Sequence, residues 1–279
     1  MSSRLRAMAA RNQSIAETGR YVATDGAEVE IGSALAAAVA GTRCFGPDAL
    51  PDGPRHAGAF ATVVEVTAED SLTAARRLAA DGPVAVLNFA SARNVGGGYL
   101  GGARAQEEDL CRNALLYPCL LQAPEYYEAH RASDDLLYSD RVIWSPSVPV
   151  HRDERGGLST EPFAASFLTS PAPNAGALLR RDPGAGPRIR AALARRSGRV
   201  LDVAARQGAR QLVLGAWGCG VFRNDPHDVA RAFHSWLAPG GAYHGAFARV
   251  TFAVWDRSEP SANRAAFEKT FPPEPPTGV

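Results

Sequence analysis

Residues 83–90 read PVAVLNFA, apolar at nearly every position, and the chain then passes through SARNV into three consecutive glycines, Gly96, Gly97 and Gly98. A short apolar run without alternation is the pattern of a strand covered on both faces, so the fold has to supply a layer on each side of it. The glycines offer a backbone that a ligand can approach without side-chain hindrance. A second pair, Gly101 and Gly102, keeps the loop open, and Gln106, Glu107 and Glu108 follow where a helix begins. A loop able to cradle phosphates, followed at once by paired acids, points to hydrolysis of a phosphate-bearing glycoside.

The remaining pattern agrees with a layered fold. Residues 4–18 and 33–41 read as helices, the second as SALAAAVAG with a serine cap and a glycine stop. A Pro/Gly-rich link, FGPDALPDGPRHAG, precedes a change of texture at Ala59. ATVVEVT is strand-like, and EDSLTAARRLAADG reads as a capped helix with a glycine stop. Residues 106–122 read as one helix with Leu110, Leu115 and Leu121 toward the core, kinked or interrupted by Pro118. RVIWSPSVPV and AASFLTS are further strands, 187–207 is an Arg/Ala-rich helix, and QLVLGAWGCG is an apolar strand ending in glycines. DPHDVARAFHSWL starts a helix with Asp225 as cap and Pro226 at its first position, ARVTFAVW is the last strand, and 260–271 is the last helix. Strands alternating with helices imply an α/β domain with a mixed, mostly parallel central sheet. Ligands bind such sheets at loops beyond the strand C-termini. Two glycine-rich loops fall there, after Phe89 and after Leu214.

Composition excludes several classes. The formal net charge of +1 gives no global electrostatic case for binding DNA or a membrane surface. Lys269 is the only lysine, and no GKS or GKT follows the glycine loop, which argues against a nucleotide-phosphate hydrolase of the P-loop kind. Cys44, Cys111, Cys119 and Cys219 lack the spacing of a zinc site, the six histidines show no metal pairing, and no cofactor or metal is expected. Reduced cysteines and the absence of a signal-like or membrane-length apolar run suggest a cytoplasmic protein.

GGG, seven residues, then QEE resembles the signature of the poly(ADP-ribose) glycohydrolases, particularly their compact bacterial type. VLNFASARNVGGG, SPSVPVHRD, SPAPN, LGAWGCGVFRND and FAVWDRS, in that order, extend the resemblance to about Phe271. It implies a three-layer α/β/α macrodomain-like fold. Residues 1–55 would be an N-terminal helical extension, 56–271 the catalytic domain and 272–279 a mobile tail. It also implies hydrolysis of ribose–ribose O-glycosidic bonds of poly(ADP-ribose), mainly exo, releasing ADP-ribose. Poly(ADP-ribosyl)ated proteins would be partners, in a DNA damage response, and the enzyme a monomer. The same fold without polymer chemistry would be an ADP-ribose-binding macrodomain or a mono-ADP-ribosyl hydrolase.

By match to that motif, Glu108 is the acid that protonates the leaving ribose hydroxyl and then deprotonates water. Glu107 holds the adjacent ribose hydroxyls, and Gln106 sets the junction of loop and helix. Asn94 and Gly96 to Gly98 would wrap the ribose and diphosphate. The loop Gly215 to Phe222, with Gly218, Cys219, Gly220 and Val221, would bring backbone N–H groups to the diphosphate. Phe222 either packs on ribose or adenine or belongs to the core. Asn88 either meets a ribose hydroxyl or braces the loop. Trp255 and Asp256 border the adenine or, as the stronger reading for Trp255, have a structural role. Cys219 is read as a small filler and His151 as packed or at the surface.

Overall fold

The computed structural model describes residues 2–47, 58–256 and 259–272. Most of the Pro/Gly-rich link, His56 and the expected tail beyond residue 272 lie outside the described residues. The chain begins with α1 (Ser3–Thr18), β1 (Arg20–Val22), β2 (Glu28–Glu30), α2 (Gly32–Gly41) and β3 (Arg43–Phe45). It continues with β4 (Val63–Thr67), α3 (Ser71–Ala79), β5 (Val84–Phe89), α4 (Gln106–Asn113), α5 (Leu116–Leu120) and α6 (Pro124–Arg131). Then come β6 (Val142–Arg152), β7 (Leu158–Ser170), α7 (Ala175–Arg181), α8 (Gly186–Arg206), β8 (Gln211–Leu214), α9 (Pro226–Leu237), β9 (Arg249–Ala253) and α10 (Ala262–Thr270).

The described residues fall into two compact, interleaved units, one formed by 2–47, 75–134 and 141–171, the other drawn from 58–74, 135–140 and 172–272. In the first, β6 pairs antiparallel with β3 and β7, while β5 pairs parallel with β7. Val84 to Leu87 are all buried, which explains why β5 has no polar face in sequence. The register sets Asn88 opposite Thr169, beside the strand end from which the glycine loop departs. In the second unit, β9 lies between β8 and β4, parallel to both. Trp217, just beyond β8, is fully buried and heads a run of rings through Phe233, Phe252 and Phe267, with centroids 6.1, 5.8 and 5.2 Å apart. That anchor roots the second glycine loop in the core of its unit.

Several expectations change. The helix expected over 106–122 is two helices, broken at Ala114. Pro118 has no N–H to offer the carbonyl four residues back, which is that of Ala114. Ala114 instead bridges Val150, and the Leu115 N–H donates to the Pro149 carbonyl at 3.0 Å. The break turns Leu121 outward, 50% exposed, while Leu110 and Leu115 are buried as expected. The serine cap of α2 is absent: the helix begins at Gly32 with Ile31 in the cap position and no side-chain cap bond. The hairpin β1–β2, β3, α6 and α7 had no strong periodic signal. The strand expected at 164–170 starts at Leu158, because its first half is held by pairing with β6. Asp225 does cap α9, accepting from the His227 N–H at 2.8 Å.

In the second unit, α8 carries a fully buried guanidinium, Arg196, whose Nε donates to Asp140 at 3.0 Å. Its Nη2 donates to the carbonyls of Leu137 and Tyr138 at 2.7 and 3.0 Å, and Arg195 also pairs with Asp140. The segment so fixed holds Tyr138 at a left-handed φ of 60° with its ring 6.0 Å from that of Phe222. Removing one partner of a buried pair leaves a buried charge uncompensated. Arg196→Met should lower stability by about 3 kcal/mol in urea unfolding; a loss under about 1 kcal/mol would show that this network is not a fold determinant.

Candidate active site

Helix α4 carries its acids in the first turn, where the unpaired N–H groups of a helix favour negative charge. Gln106 fixes its start. The side-chain amide donates to the Leu87 carbonyl at 2.8 Å and accepts from the Phe89 N–H at 2.9 Å, continuing the edge of β5 as another strand would. The expected role at the loop–helix junction thus has a concrete form.

Glu107 and Glu108 are both buried. Glu107 Oε2 accepts from the Ser91 N–H at 2.7 Å, and Oε1 from Asn88 Nδ2 at 3.4 Å. Asn88 also donates to Thr169 Oγ1 at 3.1 Å, so it braces the carboxyl of Glu107 rather than the loop backbone. Glu108 Oε1 accepts from the Gly98 N–H at 2.8 Å. Glu108 Oε2, also buried, makes no hydrogen bond among the described residues. Burial pushes Glu107 up to about 8; the neighbouring Glu108 adds to the rise, while the bonds from Ser91 and Asn88 oppose it. At neutral pH Glu107 is therefore mostly a neutral acid in the free protein.

The glycine loop closes directly over this pair. Gly96 and Gly97 have φ of 63° and 59°. A Cβ on Gly97 would lie 2.5 Å from Glu108 Oε1 and 2.9 Å from Glu107 Oε2, and one on Gly96 would meet the Tyr117 ring at 2.9 Å. The backbone thus runs where no side chain fits. Asn94 is exposed; its N–H donates to Ser91 Oγ and its carbonyl accepts from Gly97, so its backbone shapes the turn. Ser91, Thr169 and Tyr117 were missed in the sequence. Ser91 holds Glu107 through its backbone N–H, which no residue type advertises, and the other two are set by strand register and the α4–α5 break.

The second loop is a different kind of binding element. Trp217 and Cys219 donate their N–H groups to Gly215 and Ala216 carbonyls, and Asn224 closes the loop onto Gly218 and Pro173. Among the described residues, the N–H groups of Gly218, Gly220, Val221 and Phe222 find no protein acceptor. A Cβ on Gly220 would meet nothing within 4 Å, and Val221 is 83% exposed, so this stretch is open to a ligand. Unpaired successive N–H groups suit anionic oxygens. Phe222 is half-buried, touching Tyr138 rather than lying in the core. Burial pushes the Cys219 thiol up to about 12, consistent with filling space and not with a thiolate nucleophile.

Other expectations are settled by position. His151 is fully buried, and burial pushes it down to about 3. Trp255, two residues beyond the end of β9 at Ala253, is 59% exposed. Asp256 accepts from Ser261 Oγ and Asn263 Nδ2 at 3.1 and 3.0 Å, tying down the start of α10. Among the described residues, no three His, Cys, Asp or Glu side chains are grouped to hold a metal ion.

Comparison with known proteins gives the same direction. The family model for the microbial-type PARG catalytic domain matches residues 9–153. The crystal structure of poly(ADP-ribose) glycohydrolase from Thermomonospora curvata is 46% identical, with a TM-score of 0.89 and coverage of 97% of this chain and 100% of that one. The same enzyme bound to the inhibitor ADP-HPD matches at 46% identity and TM-score 0.89, covering 96% and 99%. Poly(ADP-ribose) glycohydrolase from Deinococcus radiodurans in complex with ADP-ribose is 48% identical, TM-score 0.81, covering 85% and 97%. No curated protein matches the chain. The macrodomain-like α/β fold is thus shared with solved structures.

The raised pKa of Glu107 has a consequence for stability. The folded state holds a proton that the unfolded chain releases above the ordinary glutamate value of 4.5, so stability falls as pH rises from there to about 8 and then levels. Glu107→Gln removes this slope. In thermal melts from pH 4.5 to 8.5, the variant's Tm relative to the native protein should climb with pH; a constant offset would contradict a proton held on Glu107.

Proposed function

Because the chain belongs to the microbial-type poly(ADP-ribose) glycohydrolases, we propose that it cleaves the ribose–ribose O-glycosidic bond with Glu108 as proton donor. It is a glycosidase of the α/β, macrodomain-like kind. The observation that carries the assignment to Glu108 is the unequal use of its two oxygens. One is held by the Gly98 N–H, and the other is buried without a partner among the described residues. A buried carboxyl oxygen held in place and left unbonded is suited to exchange a proton with a bound substrate.

Glu108 would protonate the leaving ribose hydroxyl oxygen as the glycosidic C–O bond breaks, leaving an oxocarbenium-like centre, and would then take a proton from the attacking water. Glu107, neutral in the free protein and fixed by Ser91 and Asn88, would orient the ribose hydroxyls. Gly96 to Gly98 would wrap the ribose, with Asn94 reaching a hydroxyl from the loop. The free N–H groups of Gly218, Gly220, Val221 and Phe222 would hold diphosphate oxygens, with Gly215 and Cys219 shaping that loop. Phe222, supported by Tyr138, would pack on ribose or adenine.

Exo cleavage, releasing ADP-ribose from chain ends of poly(ADP-ribosyl)ated proteins, is the mode we assign. Residues 1–55 are read as an extension to a catalytic domain at 56–271. Its support is the packing of α1 on α4 through the Asn12 amide. A cytoplasmic location is supported by four cysteines that are all free thiols.

Glu108→Gln should reduce release of ADP-ribose from polymer by about a thousandfold or more, with binding of free ADP-ribose retained. Near-native turnover would overturn the assignment. Chain-length analysis of the first products should show monomeric ADP-ribose; early oligomers would overturn the exo assignment alone.

A further inference from the structure

Asn12 lies in α1, buried, far in sequence from the acids, yet its amide meets the opposite end of their helix. Nδ2 donates to the carbonyls of Cys111 and Arg112 at 3.2 and 2.8 Å, in the last turn of α4. Oδ1 accepts from Arg152 Nη2 at 2.8 Å and lies 3.0 Å from His151 Nε2. His151 is neutral at ordinary pH, so its contact with an amide oxygen places the ring proton on Nε2. Arg152, at the end of β6, adds a bond from Nε to the same Arg112 carbonyl at 3.0 Å and one from Nη1 to Gly156 at 3.0 Å.

Arg152 is a buried cation with no ion-pair partner among the described residues. Such a charge is costly without compensation. Its compensation here is the carbonyl end of α4, where the final carbonyls lack intrahelical donors and carry the negative pole of the helix. The Leu110 carbonyl is already taken by the Ala114 N–H, so Asn12 and Arg152 supply donors to the next two. The same α1 helix also touches the glycine loop. Tyr99 Oη donates to the Ala9 carbonyl at 3.5 Å, and a Cβ on Gly102 would lie 2.9 Å from the Ser2 carbonyl oxygen. One helix therefore contacts both the loop and the far end of the helix bearing the acids.

We propose that Asn12 and Arg152 are positioning residues for the reaction: by clamping the C-terminal end of α4 they set where Glu107 and Glu108 stand against Gly97 and Gly98. The inference rests on the reading of Glu107 and Glu108 as the catalytic pair. The tolerance is small. A slide of α4 by about 1.5 Å, one residue's rise, would open the 2.8 Å bond from Gly98 to Glu108. The alternative is a clamp that serves folding alone.

The test is a comparison of kcat with ADP-ribose affinity in Asn12→Asp, Asn12→Ser and Arg152→Met. Turnover is counted per molecule that binds ADP-ribose, so that misfolded protein does not enter. Asn12→Asp keeps an oxygen for Arg152 and His151 but has no donor for the carbonyls. It should lose about tenfold to a hundredfold in kcat, with the Kd for ADP-ribose within about threefold. Asn12→Ser, which retains a hydroxyl donor for one carbonyl, should recover part of that loss, and Arg152→Met should resemble Asn12→Asp. A kcat within about twofold of native, or a loss shared equally by kcat and ADP-ribose affinity, overturns the proposal. Glu108→Gln is measured alongside. If it stays active, the catalytic reading and the clamp both fail; if it is inactive while Asn12→Asp turns over normally, only the clamp fails.

Discussion

The close approach of the Gly97 backbone to two buried carboxyls is the constraint on which the rest of the site depends. With a Cβ there only 2.5 Å from Glu108 Oε1, the loop can lie over the acids only as glycine, at positive φ. Glu107 lies buried beside that backbone, and burial raises the cost of its ionisation. The loop also brings the Gly98 N–H onto Glu108, which settles which of that side chain's oxygens is engaged and which is left over. Geometry and ligand access both follow from one stretch of backbone.

Holding that stretch requires α4 to be fixed at both ends. Gln106 ties its start to the edge of β5 through two bonds to backbone, and Asn12 with Arg152 occupies its terminal carbonyls. The short helix is thereby built into its unit as a rigid bar. This suits a site whose chemistry depends on sub-ångström placement of a carboxyl. The second loop is held by other means, a buried tryptophan below and Asn224 closing its neck, which leaves its central N–H groups unengaged.

Much of this was legible in the sequence where the signal was local. PVAVLNFA as a buried strand, the glycines after it and the acids after them needed only short-range pattern. Pro118 announced an interruption but not its place. The break falls at Ala114, because the missing donor is felt four residues earlier, and Leu121 is exposed as a result. The proton's place was not legible: helix position and a like-charged neighbour bear on both acids, whereas burial, which dominates for Glu107, is a tertiary quantity. Least visible was the clamp, since Asn12 and Arg152 stand 140 positions apart and nothing in SPSVPVHRD, where Arg152 lies, points to Asn12.

The central claim is that the loop and the buried pair together hold a proton on Glu107 in the free protein. Carbon-13 NMR of protein labelled at the glutamate side-chain carboxyl, titrated from pH 4 to 10 and assigned with Glu107→Gln, reads this directly. The account predicts one carboxyl resonance titrating near 8 that disappears in the variant. A Glu107 resonance already ionised by pH 5 would contradict it.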